Sequence, residues 1–95
     1  MDEIYVDYHA VKGLAERLRD YGENIQSTCK KMNDYLAEVN NQWRGSKSTK
    51  FTNRMQDYIS ELLKKGNYYI DSADNLIACS NTYQEIDQYF SRQEI

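Results

Sequence analysis

Side chains able to do chemistry are few in this sequence, and they lie far apart. Two cysteines, Cys29 and Cys79, and one histidine, His9, stand in no metal-ligand spacing, so no metal site is expected. No Ser/His/Asp set and no phosphate-cradling glycine loop is visible. No residue is therefore assigned a catalytic role, an enzyme is not expected, and no cofactor is implied. The remaining candidates suit recognition. The only tryptophan, Trp43, stands two residues before Gly45 in "QWRGSKSTKF", residues 42–51, between two stretches that read as long helices. Near the other end Tyr83 precedes Asp87 by four residues, which puts both on one face of a helix.

Each candidate has a structural reading beside a functional one. Trp43 is either an aromatic plug closing the end of a helix pair or a ring left partly available to a partner. Gly45 reads as structural, because a helix end with φ > 0 favours glycine. Tyr83 either continues an apolar column as ordinary core, with Asp87 a solvated acid, or forms a recognition site with it. His9 reads as a surface residue in a first helical turn.

Composition narrows the field. The formal net charge is −3, and basic residues occur only as isolated pairs, Lys30-Lys31 and Lys64-Lys65. A nucleic-acid interface wants a basic face with interleaved aromatics, so none is expected. The longest apolar run, Leu76-Ile77-Ala78-Cys79, is too short for a membrane span or a signal-peptide core. On its own this reads as a cytosolic chain, unless export uses another kind of signal. A chain of 95 residues makes one small domain and needs a helper to be stable. With disulfide and metal disfavoured, the helper is self-association or a partner.

The elements that must position Trp43 and Tyr83 are two helices. Proline is absent, as suits long uninterrupted helices. Val11, Leu18, Ile25, Met32 and Val39 recur every seven residues, with Leu14, Tyr21, Thr28 and Tyr35 beside them. Ala15, Gly22, Cys29, Leu36 and Trp43 form a flanking column. This stripe predicts one amphipathic helix over about 7–41, with Asp7 as its N-cap. In the second half, Met55, Leu62, Tyr69, Leu76, Tyr83 and Phe90 make an unbroken column, flanked by Phe51, Tyr58, Cys79 and Ile86. Ile59, Gly66, Ala73 and Ser80 lie on its other flank, and Leu63, Ile70 and Ile77 form a further column. These predict a second helix over about 48–91, with Ser48 available to start it.

The expected fold is all-α: one domain over 1–95, an antiparallel helical hairpin with a turn at 42–47, an arm at 1–6 and a tail at 92–95. With the turn near Gly45, residues whose numbers sum to about 91 share a level. Gly22 then faces Tyr69, Ala15 faces Leu76 and Cys29 faces Leu62, small against large. Cys29 and Cys79 stand about 27 Å apart in height, beyond the ~7 Å that a disulfide allows, so no intrachain bond is expected. Buried free thiols are the leading reading, and a Cys29–Cys29 bond between chains is the alternative. The stripes, with Leu14, Leu18, Tyr21, Ile25, Met32, Leu62, Tyr69 and Leu76 as core or dimer contacts, are too broad for two helices. An obligate dimer forming a four-helix bundle is expected.

In this context the sequence resembles the WxG family of small type VII secretion substrates, the early-secreted-antigen family. Trp43 and Gly45 form the W-x-G in the turn of a hairpin of the right length, with the aromatic Phe51 eight residues after the tryptophan. "IYVDYHAV", residues 4–11, is similar to the family's extended arm, with Ile4 and Val6 ahead of the first helix. "YQEID", residues 83–87, matches the Y-x-x-x-D/E export motif. Lys47 departs from the pattern, since many members carry a small residue there.

The resemblance implies a leaderless protein that folds in the cytoplasm and is exported as a homodimer, or as a heterodimer with a related WxG-type chain. Export would run through a membrane complex driven by a hexameric ATPase, with a role in virulence or competition between bacteria. Trp43, Gly45, Tyr83 and Asp87 become the export motif. Tyr83 lies about 57 Å of helix beyond the turn, so in an antiparallel dimer it meets the partner's turn and forms one composite surface. Two alternatives are a targeting adaptor for a larger toxin and a cytosolic coiled-coil scaffold. The many Asn, Lys, Ile and Tyr residues, with AT-rich codons, point to a low-GC Gram-positive source.

Overall fold

The structure, a computed structural model, describes residues 7–93. The arm anticipated at 1–6, with Ile4 and Val6, lies outside them. Two helices make up the fold: α1, Tyr8–Gln42, and α2, Ser46–Gln93. They fold back on one another as an antiparallel hairpin measuring 76 × 18 × 17 Å. At about 1.5 Å per residue, α2 alone accounts for nearly the whole long axis.

Asp7 starts α1 as anticipated. Its backbone is extended and its Oδ1 accepts the Ala10 N–H at 3.0 Å, which satisfies one of the orphan donors of the first turn. At the other end Trp43 leaves helical geometry (φ −117°, ψ 117°), while its N–H still donates to Val39 O at 2.8 Å. Gly45 then turns the chain with φ +127°, a region that L side chains rarely adopt. Ser48 does not start α2. The helix begins at Ser46, and the buried Ser48 hydroxyl donates back to Gly45 O at 2.8 Å from inside the first turn. Thr49 N–H donates to the same carbonyl at 3.1 Å, so the turn is closed on one oxygen.

The seam between the helices is made by the flanking columns. Ala15, Gly22, Cys29 and Leu36 of α1 are buried against Thr52, Ile59, Gly66, Ala73 and Ser80 of α2. Gly22 and Gly66 face one another across the seam, with Ile70 and Ile25 packed against them. A Cβ at Gly22 would lie 2.6 Å from Gly66 O, and one at Gly66 would lie 3.1 Å from Gly22 O. At these levels Gly22 meets Gly66 and Ile70, the seam residues on either side of Tyr69, and the Cys29 thiol donates to Ile59 O at 3.7 Å, with Leu62 packed beside it. Two helices approach most closely where side chains are smallest, so the bulky columns are pushed out of the seam to straddle it.

The two broad faces left by this seam differ. On one, Arg19 pairs with Asp74, Gln26 Nε2 donates to Asn67 Oδ1 at 2.9 Å and Thr52 Oγ1 donates to Asn40 Oδ1 at 3.5 Å. Polar side chains thus strap the helices together there. The other face is apolar and aromatic. Ile25, Met32, Met55 and Leu62 pack half-buried on Cys29, Leu36 and Ile59, and Tyr21 leans on Tyr69 with ring centroids 6.4 Å apart. None of the eight anticipated core or dimer contacts is buried within one chain: Leu14, Tyr21 and Tyr69 are exposed, while Leu18, Ile25, Met32, Leu62 and Leu76 are half-buried.

Candidate functional site

The candidate recognition residues occupy the two ends of the hairpin. At the tip, the Trp43 ring rests against Phe51 with centroids 5.6 Å apart, yet it remains 44% exposed. The extended cap conformation of Trp43 swings its side chain off the seam column that Leu36 ends, and Phe51, one turn into α2, supplies the surface it leans on. The ring is both a packed residue and an available one.

At the open end Tyr83 is 62% exposed, so it does not continue the core. Asp87, one turn further along α2, is not simply a solvated acid. The Tyr8 hydroxyl, from the first turn of α1, donates a hydrogen bond to its carboxylate. That bond requires the phenol's proton, and ionised Tyr8 would face a negative carboxylate. The Tyr8 phenol is accordingly pushed up to about 12. The motif's acid is therefore held in place by the other helix.

Between these residues lies a cleft of about 280 Å³ lined by Tyr8, Val11, Leu76, Cys79, Ser80 and Tyr83. Its walls are apolar and aromatic. The one hydroxyl in the seam beneath it, Ser80 Oγ, is buried and has no hydrogen-bond partner among the described residues. Sequence reasoning missed Tyr8 and Ser80. Tyr8 was legible only as the start of a helix, although its level in the hairpin matches that of Asp87. Ser80 looked like one more small residue of a flanking column.

The structure does not bring Trp43 and Gly45 to Tyr83 and Asp87 within one chain, because the hairpin separates them by its length. Both cysteines are free. Cys29 is 2% exposed in the seam, which removes it from any surface where a Cys29–Cys29 bond between chains could form in this fold; Cys79 is exposed on the cleft wall. His9 is exposed. No helix of the described residues is long and apolar enough to cross a membrane.

Comparison with known proteins places this geometry. The model of the family described as "WXG100: Proteins of 100 residues with WXG" matches residues 3–88. No curated protein and no solved structure gives a match.

Proposed function

The chain belongs to the family of proteins of 100 residues with WXG, small secreted helical proteins of type VII secretion that typically dimerise with each other, and from that premise we propose how this member is exported. It leaves the cell as a folded dimer. Its export signal is composite: Trp43 and Gly45 of one chain stand beside Tyr83 and Asp87 of the other, and the secretion ATPase reads the two together.

The observation that carries this reading is the exposure of both aromatic anchors. Trp43 keeps 44% and Tyr83 62% of its surface exposed within the chain, although either would have fitted a core role. Large aromatic side chains left wet are characteristic of binding surfaces, where their area gives most of the energy. The Tyr8 bond adds to the argument. A carboxylate fixed on the surface by a neighbouring hydroxyl is pre-organised for a partner and loses less freedom on binding.

The test is export from the native host. Tyr83→Ala, and separately Trp43→Ala, are expected to abolish secretion while leaving a folded dimer in the cells. Secretion of both variants at the unmodified level would refute the composite signal.

A further inference from the structure

The apolar, aromatic side of the hairpin carries a single charge, and it stands at mid-length. On α2, Lys65 and Asn67 lie about 100° to either side of the buried Gly66. Asn67 accepts from Gln26 on the strapped side, so Lys65 projects from the open one. Lys65 is exposed and makes no ion pair among the described residues, whereas its neighbour Lys64, on the outer surface of α2, bonds to Glu61. The columns of the open side run from Val11 to Val39 and Leu14 to Tyr35 on α1, and from Met55 to Phe90 and Phe51 to Ile86 on α2. They hold no charge besides Lys65.

We propose that Lys65 selects the dimer partner: the open side prefers a related hairpin chain that sets a carboxylate at its middle over a second identical copy. The inference rests on the dimeric reading above and names the chemistry of the partner.

Helix geometry gives the place of Lys65 in such a dimer. A twofold axis that crosses the rod, as the composite signal requires, lays each α2 antiparallel on its copy. Trp43 rests on Phe51, so setting it beside the partner's Tyr83 brings Phe51 of one α2 to the level of Tyr83 in the other. The axis then passes midway between these residues, about 3 Å of helix from Lys65. Two identical copies place their Lys65 residues about 6 Å apart along the rod, which is within reach of one another.

The position decides the effect of the charge. At the rim of an interface a lysine extends into water at little cost, but at its centre the ammonium group is desolvated. Two such groups brought together repel, and a single lysine in an apolar helix seam fixes which helices pair. An aspartate or glutamate at the same level of another chain replaces the repulsion with an ion pair. Tyr69, one turn from Lys65, and Tyr21 against it add phenol donors for that carboxylate. The second copy remains a partner, held more weakly than a chain with the complementary charge.

Charge exchange on the full chain tests this. Lys65→Glu alters an exposed residue, so the hairpin is expected to stay folded. The variant is mixed in equal amounts with the isotope-labelled unmodified chain at micromolar concentration, and the dimers are counted by native mass spectrometry. Random pairing makes about half of them mixed; the expected result at low salt is about nine in ten, falling toward half as salt is raised. Lys64→Glu, one residue away on the outer surface, is expected to pair at random. Random pairing of Lys65→Glu overturns the proposal.

Lys65→Leu gives a second measurement. Its homodimer is expected to dissociate about tenfold less readily than the unmodified one in sedimentation. A homodimer no tighter than the unmodified one overturns the proposal as well. Dimers that pair at random remove the selection and leave the dimeric reading standing. Chains that stay monomeric both unmodified and as Lys65→Leu overturn the dimeric reading, and the selection with it.

Discussion

Tyr8 and Asp87 form a contact between the two ends of the sequence, and its chemistry makes it measurable. The phenol is pushed up to about 12, above the ordinary value near 10, because its proton is shared with the Asp87 carboxylate. A folded value above the unfolded one means that the folded state holds the proton more tightly. The contact therefore contributes fully below pH 10 and is lost as pH rises through about 12. In an ultraviolet titration of the chain's tyrosines, one phenol is expected to ionise near 12, and Asp87→Ala is expected to bring it back to the ordinary range. No change of the late phase in that variant would remove the Tyr8 bond from the account. The same scale shows why the site was only partly legible. Trp43 and Tyr83 announced themselves by residue type and spacing. Tyr8 did not, because its contact is with a residue some eighty positions away in the sequence.

At the scale of the helices, heptad spacing identified both elements, and Asp7 and Gly45 marked where α1 begins and where the chain turns. Which column faces the other helix was harder to read. Hydrophobic bulk draws attention to Leu18, Ile25, Leu62 and Leu76, but the seam runs through Ala15, Gly22, Gly66 and Ala73, where the backbones can come close. A stripe of large residues beside a stripe of small ones is the mark of a helix with two neighbours, one near and one across a wider gap. Two glycines separate these effects. Gly13 has open space for a Cβ, so Gly13→Ala is expected to raise stability by about 0.5–1 kcal/mol through helix propensity alone. Gly22→Ala gains the same propensity but sets its Cβ against the Gly66 carbonyl and Ile70, so the helices must part, at a cost of about 1–3 kcal/mol. Thermal unfolding of the two variants, at equal protein concentration, is expected to move in opposite directions. A Gly22→Ala variant that melts above the unmodified chain would contradict the glycine-on-glycine seam.

The whole molecule is a thin rod, with one side strapped by polar pairs and the other left apolar. Its single-chain core is a narrow line in which only Leu36 and Ile59 are large, too slight to exclude water from Leu14, Tyr21, Tyr35, Tyr69 and Tyr83. Dimerisation through the open side would cover these residues, and sedimentation at micromolar concentration is expected to give a dimer; a stable monomer there would contradict it. The composite signal makes a sharper demand. Trp43→Ala and Tyr83→Ala chains, each retained alone, are expected to be exported when co-expressed, because a mixed antiparallel dimer has one end with both residues intact. Both chains should then appear in the culture medium in equal amounts. Retention of the co-expressed pair despite a confirmed mixed dimer, or export of either variant alone, would contradict the account.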